Sequence, residues 1–413
     1  MSVEHTGAPA TRGTDTRGTD RLRQLDGLRG VAALIVVVHH SFLLFPRFAD
    51  TYQSSGQLPV SGSVLWWLTA TPVKVFTAGG EAVLVFFVMS GIVLTLPVLA
   101  RVNFDWVAYY PRRMVRLYLP VIAAVLFAAV LILLVPQPTG AGFSWWVNDY
   151  SVNDLTVDRV VSATDVLFGD VIINNPLWSL RWEVVYSLAL PVFIGVALLA
   201  RKRPLLGILV ACVLAGLGGF WGNQSFTYLP AFLIGAIIAV AIDSIRTGAD
   251  RLSAVRASTV LWALIAALGL VALVAYWLVR PSADTNPAVH GLTIGLRTLG
   301  ATILVLVAAF WAPAVRLLTS RFVQWLGAIS FSLYLVHVPI ALVAIHLLGA
   351  ANAKWAVLAT VVIAVPVAAL FTRFVEKPSH LLSKRVGATV AARLGTVQRE
   401  LAQKRAQRED QRA

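Results

Sequence analysis

The apolar residues of this chain come in uninterrupted blocks of about twenty, and this pattern constrains the fold more than any other feature. An α-helix rises about 1.5 Å per residue, so a block of that length crosses the roughly 30 Å hydrocarbon layer of a bilayer. With 58% hydrophobic and only 13% charged residues over 413 positions, a soluble domain could not cover such a core. The sequence therefore predicts an all-α polytopic membrane protein.

The apolar blocks predict ten transmembrane helices. Their continuous apolar character, without the alternation of a half-buried strand, excludes an outer-membrane β-barrel. The predicted spans are 28–46, 82–100, 114–135, 177–200, 205–221, 226–243, 259–279, 291–312, 326–348 and 355–376.

The net charge of +14 predicts an orientation for these helices. Connections on one side hold 27 of the 34 Lys and Arg residues, those on the other side hold five, and Arg181 and Arg297 lie within spans. Because cytoplasmic loops are enriched in Lys and Arg, both termini are predicted in the cytoplasm of a multi-pass protein of the cell (inner) membrane. The basic excess is thus a topological signal, and no nucleic-acid partner is predicted.

The pattern also predicts three segments. Residues 1–24 lack an apolar run and are predicted to be a disordered cytoplasmic tail, residues 25–380 form the membrane domain, and residues 381–413 form a basic cytoplasmic tail, helical or disordered, near anionic lipid. Among the outer connections, 62–79 is predicted to form an interfacial helix. The long connection 136–176 is predicted to be functional.

Ionisable residues inside a membrane are costly, so each one is a functional candidate. In the first span, Arg29 and His40 are eleven residues apart, which places them on one helix face about 16 Å apart along the axis. His40 is a candidate general base in the outer half of the membrane. A structural role in hydrogen bonding between helices is the alternative, and it is favoured for His39 and His346.

Two carboxylates are predicted near the same depth as His40. Glu81 precedes the second span, and Glu183 lies close to Arg181 near the outer start of the fourth span. A carboxylate beside an imidazole fixes its tautomer and stabilises the imidazolium that forms on proton transfer. Either Glu81 or Glu183 is therefore predicted to support His40, and the sequence leaves the choice between them open.

A cluster of basic residues begins the third span at the predicted cytoplasmic surface. Arg112, Arg113 and Arg116 can bind phosphate through charge-assisted bonds, although anchoring to lipid headgroups is an alternative. The sequence has no Cys and His spacing for a metal, no glycine-rich phosphate loop and no nucleophile elbow. No bound metal or cofactor is predicted, and a base that activates a substrate hydroxyl fits better than a protein nucleophile.

Six motifs together resemble the membrane-bound acyltransferase family 3, over about residues 25 to 380. They are Leu25-Asp26-Gly27-Leu28-Arg29 with ten residues to His40, Val85-Phe86-Phe87-Val88-Met89-Ser90-Gly91, Arg113 with Arg116, Leu177-Trp178-Ser179-Leu180 with Glu183 and Tyr186, Ile329 to His337, and Phe374-Val375-Glu376-Lys377-Pro378. Two departures from the family pattern concern site residues. Glu81 lies upstream of the usual carboxylate, and Arg181 stands where a small or apolar residue is common.

The resemblance implies an O-acyltransferase that moves an acyl group, acetyl in the first instance, from cytoplasmic acyl-CoA to a hydroxyl of a carbohydrate, glycolipid or small-metabolite acceptor. It implies His40 as the base, with Arg29, Arg112, Arg113 and Arg116 binding the donor. The residues predicted to line the substrate cavity are Asp26, Trp178, Arg181, Tyr186, Ser330 and His337.

Two other functions would use the same buried charges differently. A transporter would carry a proton or an anionic solute and would show broken helices in corresponding halves of an internal repeat, which the sequence lacks. A non-enzymatic membrane scaffold would leave the ionisable groups of the outer half unexplained.

Overall fold

The computed structural model describes residues 22–53 and 59–410, with side chains up to residue 396. In this part of the chain every regular element is helical, which confirms the predicted all-α class. The helices are α1 (Arg23–Phe42), α2 (Pro46–Asp50), α3 (Val64–Ala70), α4 (Gly79–Leu99), α5 (Trp106–Leu134), α6 (Trp145–Tyr150), α7 (Val157–Thr164), α8 (Leu177–Leu188), α9 (Leu190–Leu199), α10 (Pro204–Phe220), α11 (Gln224–Val240), α12 (Ile242–Ala254), α13 (Ser258–Leu273), α14 (Ala275–Leu278), α15 (Arg280–Thr285), α16 (Pro287–Phe310), α17 (Ala312–Leu318), α18 (Arg321–Leu348), α19 (Ala353–Phe371) and α20 (Lys377–Asp410).

Several of these helices fit a multi-pass membrane protein. One bent pair, α8 with α9 at 71°, corresponds to the predicted span 177–200. In a second pair, bent by 79°, α11 corresponds to the predicted span 226–243, whereas α12 extends into the predicted connection after it. The shorter apolar helices α10 and α13 lie at two further predicted spans. The number of ten crossings and the cytoplasmic side of the termini stay predictions. Within the described ranges, six helical segments are long and apolar enough to cross a membrane: Arg23–Phe42, Gly79–Leu99, Trp106–Leu134, Pro287–Phe310, Arg321–Leu348 and Ala350–Thr396.

The terminal segments extend the predicted helices. Helix α1 begins at Arg23, earlier than the predicted start at residue 28, and residues 1–21 of the predicted tail lie outside the described residues. A π-helical segment, Thr372–Glu376, joins α19 to α20, so the basic segment is helical as far as Asp410, and residues 411–413 are again outside the described part.

Proline explains the break between α8 and α9. Pro191 has no N–H to donate to the carbonyl of Ser187, four residues earlier, and its ring crowds that position. The Tyr109 hydroxyl donates to the Ser187 carbonyl at 3.2 Å, and the Tyr110 hydroxyl donates to the Leu188 carbonyl at 3.3 Å. A broken helix is tolerated at membrane depth only when neighbouring groups satisfy the freed carbonyls, as these tyrosines do.

Close packing of α1 against α18 places two histidines side by side. A Cβ on Gly30 would lie 2.5 Å from the Gly327 nitrogen, so only glycine permits this approach. Ten residues further along each helix stand His40 and His337, whose rings are also in contact, so the two helices run parallel. This close, parallel packing positions the candidate active site.

Candidate active site

His40 and His337 form a directly hydrogen-bonded pair. His40 Nδ1 lies 3.0 Å from His337 Nε2 and 3.0 Å from the Val36 carbonyl, while His337 Nδ1 lies 3.0 Å from the Leu333 carbonyl. A carbonyl only accepts, so His337 Nδ1–H donates to Leu333 and His337 Nε2 accepts from His40 Nδ1–H. This arrangement leaves His40 Nε2 as the nitrogen available to take a proton.

Asn175 faces the remaining nitrogen of His40. Its Oδ1 lies 3.1 Å from His40 Nε2, and it stands in the connection that precedes α8. When His40 Nε2 carries a proton, it donates to this oxygen, so the amide stabilises the imidazolium without adding a charge. Asn175 thus occupies the place that the sequence had predicted for a carboxylate.

A second proline explains why the chain before α8 approaches His40. Pro339 in α18 cannot donate to the Leu335 carbonyl, four residues earlier. Asn174 Nδ2 donates to that carbonyl at 2.9 Å. Tyr334, one turn before the proline, donates its hydroxyl hydrogen to the Pro176 carbonyl at 3.0 Å. The irregularity of α18 therefore anchors the segment that carries Asn175.

The pair is enclosed by apolar and aromatic groups. His40 is 7% exposed and His337 is 0% exposed, and the Trp146 ring centroid lies 5.6 Å from that of His40. A site closed to water strengthens the hydrogen bonds and charge interactions within it.

Neither predicted carboxylate contacts His40. Glu81 Oε1 accepts from Trp277 Nε1 at 3.1 Å and lies 3.4 Å from Arg297 Nε, while Glu183 Oε1 lies 2.5 Å from Arg113 Nη2. The support that one of these acids was predicted to give His40 is therefore not a direct hydrogen bond, and it stays a prediction. Each acid is paired with an arginine, because a charge buried without a partner is costly.

Glu183 belongs to the arginine cluster at the other end of the bundle. It lies six residues into α8, about 9 Å along the axis from the Asn175 end. Arg113, which also donates through Nε to Ser187 Oγ at 3.1 Å, is 9% exposed. The sequence predicted Glu183 at the same membrane depth as His40, because Glu183 is near the start of its span. The six residues that precede it in α8 are enough to carry it away from the Asn175 end.

The remaining arginines predicted to bind the donor are distributed around Arg113. Arg116 lies within electrostatic range of Arg113, Arg29, Glu376 and Glu183. Arg112 and Arg116 are exposed on α5. Of the four arginines predicted to bind the donor, Arg29, Arg113 and Arg116 therefore lie in one region. Glu183 and Glu376 lie in the same region and reduce its net positive charge.

Of the residues predicted to line a substrate cavity, His337 alone has a hydrogen bond to His40 among those described. Tyr186 is fully buried and its hydroxyl donates to Gly91 at 3.3 Å, Ser330 donates to the Gly327 carbonyl of its own helix, and Trp178 packs on Tyr228. Arg181 and Asp26 are half-buried. A groove of about 450 Å³ lies instead between α5 and the start of α20, and its lining, which includes Leu119, Leu126 and Phe374, does not contain His40.

Sequence reasoning missed Asn174 and Asn175. Their signal is the pair of amides directly before Pro176 and the Leu-Trp-Ser-Leu element. Asparagines in that position are typical of helix-preceding turns, and nothing local distinguishes a structural amide from one that faces a histidine of another helix.

The helices and the buried histidine pair define a multi-pass membrane protein with a candidate site for proton transfer. The family model described as Acyltransferase domain matches residues 22–373, so the chain belongs to acyltransferase family 3. The curated Acyltransferase MdmB of Streptomyces mycarofaciens is 31% identical over 185 residues, which are 45% of this chain and 41% of that relative. The alignment thus spans less than half of either protein. No solved structure matches the chain.

Proposed function

We propose that this acyltransferase is an O-acyltransferase of the cell (inner) membrane, with residues 25–380 as its catalytic domain and both termini in the cytoplasm. It moves an acyl group, acetyl in the first instance, from cytoplasmic acyl-CoA to a hydroxyl of a carbohydrate, glycolipid or small-metabolite acceptor. The observation that carries the proposal is the hydrogen-bonded chain from Leu333 through His337 to His40, which holds the His40 hydrogen on Nδ1, so that Nε2, beside Asn175 Oδ1, is the nitrogen that takes a hydroxyl proton.

The proposed reaction uses His40 as a general base. His40 Nε2 takes the proton of the acceptor hydroxyl as the oxygen attacks the thioester carbonyl. The C–S bond breaks when the tetrahedral intermediate collapses, and the imidazolium returns the proton to the thiolate of coenzyme A. Through the transfer, His337 Nε2 holds the hydrogen on His40 Nδ1, and Asn175 Oδ1 accepts from the protonated Nε2.

The basic cluster supports the use of an acyl-CoA donor. Coenzyme A carries phosphates, and arginine binds phosphate through paired charge-assisted hydrogen bonds. Arg29 and His40 stand on one face of α1, about 16 Å apart along its axis. A pantetheine arm can span that distance, so phosphates at Arg29, Arg112, Arg113 and Arg116 would leave the thioester near His40.

In this proposal Glu81 and Glu183 act through their arginines. Glu183 holds Arg113 toward the donor region, and Glu81 neutralises Arg297 beside the histidine end of α1. The acceptor and donor passages are proposed to be shaped by Trp178, Arg181, Tyr186, Ser330 and Asp26.

The test is acyl transfer by the purified protein in lipid nanodiscs, with radiolabelled acetyl-CoA and a panel of hydroxyl acceptors. His40→Ala is expected to lower the turnover number by about 10²- to 10⁴-fold, the contribution of a general base, with an unchanged melting temperature. His346→Ala is the matched control, because His346 bonds Ser151 near the end of α18. Full transfer by His40→Ala, or uptake of a solute without acyl-CoA, contradicts the proposal.

A further inference from the structure

A lysine is fully buried beside the histidines. Lys74 is 0% exposed, and its Nζ lies 4.0 Å from the ring centroid of Trp277, 4.6 Å from that of Tyr52 and 5.2 Å from that of Phe48. Lysine is almost never fully buried without a partner. Three aromatic faces around one ammonium form a site that favours the charged amine.

Hydrogen bonds connect this lysine to the first span. Lys74 Nζ donates to the Tyr52 hydroxyl and, at 3.3 Å, to the Thr77 carbonyl. The Tyr52 hydroxyl lies 3.1 Å from His39 Nδ1, which is also 3.0 Å from the Thr77 carbonyl. The His39 ring contacts the His40 ring edge to face, with centroids 4.9 Å apart. A continuous polar chain therefore runs from Lys74 to the neighbour of the proposed base.

The Thr77 carbonyl fixes the hydrogen of His39. This carbonyl only accepts, so His39 carries its hydrogen on Nδ1, which lies 3.0 Å from the Thr77 oxygen and 3.1 Å from the Tyr52 oxygen. As an ammonium, Lys74 donates to both of these oxygens and is held by the aromatic faces. As a neutral amine, Lys74 loses the charge assistance of these bonds and the cation–π contacts. The charge of Lys74 therefore determines how strongly the two acceptors of His39 Nδ1–H are held in place.

This lysine titrates in the physiological range. It stands in the turn Pro72–Thr77, outside the candidate spans. Burial away from water lowers the pKa of Lys74 to about 7, an effect that Glu81 opposes and that Arg297 and Arg280 reinforce. The titratable and charged groups that face Lys74 or its partner Tyr52 are His39, Glu81, Tyr276, Arg280 and Arg297.

We propose that Lys74 is a positioning residue for acyl transfer, and that its ammonium form holds the Tyr52 and Thr77 oxygens that face His39 Nδ1–H, which keeps the His39 ring in place against the adjoining His40. The inference rests on the proposed function of His40. The charged arrangement is the active one because it uses the aromatic faces and satisfies both the Tyr52 oxygen and the Thr77 carbonyl.

The experiment measures the turnover number at saturating donor and acceptor from pH 6 to 9, as the ratio of wild type to Lys74→Arg. This ratio cancels the ionisation of His40 and of the substrates, which both proteins share. Because the arginine stays charged, the ratio is expected to be constant at low pH and to fall several-fold as the pH rises through the Lys74 pKa of about 7. Lys354→Arg, at an exposed lysine, is the control and is expected to show a flat ratio.

A second variant covers the case in which Lys74→Arg does not fold. Tyr52→Phe keeps the lysine and removes only the connecting oxygen, so its turnover is expected to lose the decline near pH 7. The role of Lys74 is overturned if the ratio of wild-type to Lys74→Arg turnover stays constant from pH 6 to 9. It is also overturned if Tyr52→Phe keeps the pH profile of the wild type. If wild type transfers no acyl group at all, the proposed function fails instead, so the two failures are distinguishable.

Discussion

Replacing His337 by phenylalanine removes the nitrogen that accepts from His40 Nδ1–H and keeps a ring of similar size at a fully buried position. A hydrogen bond to a charged group is worth about 1.5–3 kcal/mol, and about 1.4 kcal/mol is tenfold in rate. The Val36 carbonyl remains as a second acceptor for the same hydrogen, so His40 keeps its tautomer. The turnover number is therefore expected to fall by about 10- to 150-fold, less than for His40→Ala.

The assay for this prediction is transfer from labelled acetyl-CoA at saturating concentrations, with the melting temperature measured on the same preparations. Thr302→Val is the control, because Thr302 is equally buried and its hydroxyl donates only to the Thr298 carbonyl of its own helix. Wild-type turnover in His337→Phe refutes the assigned role of His337. A loss of turnover as large as that of His40→Ala contradicts the assignment of His40 as the base and His337 as its hydrogen-bond acceptor. His337 then becomes the candidate base.

Two further predictions concern the packing that positions the site. Gly30→Ala places a Cβ 2.5 Å from the Gly327 nitrogen, so α1 and α18 must separate. We expect this substitution to destabilise the protein by about 1–3 kcal/mol and to lower the turnover number. An unchanged melting temperature together with an unchanged turnover number contradicts this prediction. Glu183→Gln leaves the buried Arg113 unpaired, and because Glu183 retains 22% exposure we expect a loss near the lower end of the 3–5 kcal/mol range, about 3 kcal/mol. Thermal unfolding in detergent measures that loss, Arg113→Met with Glu183→Gln should restore part of it, and equal stability of all three proteins argues against the ion pair.

Local patterns predicted the helical class and most of the helices well, because their signals lie within short stretches of chain. The apolar blocks anticipated the helical class, and Arg29 and His40 share a face of α1 because helical periodicity depends only on sequence spacing. Pro191 is a local signal that the single predicted span 177–200 did not use, and it separates α8 from α9. The ends of the helices were predicted less accurately, since caps and bends depend on neighbouring helices.

The partners of His40 could not be predicted in this way. Glu81 and Glu183 are the acids nearest in predicted depth, yet each lies against an arginine from another helix, because buried charges pair with the opposite charge that packing brings closest. Asn175 faces His40 from 135 positions away. No local pattern encodes that contact.

The sequence by itself determined that this chain is helical, apolar enough for a membrane, and equipped with one histidine placed a fixed distance along a helix from an arginine. Those properties follow from composition and from the period of a single helix. Only the tertiary structure decided that Gly30 and Gly327 let two parallel helices approach, and that His337 rather than a carboxylate accepts from His40. Contacts between helices depend on side-chain volume and on the nearest available charge, which sequence spacing does not contain.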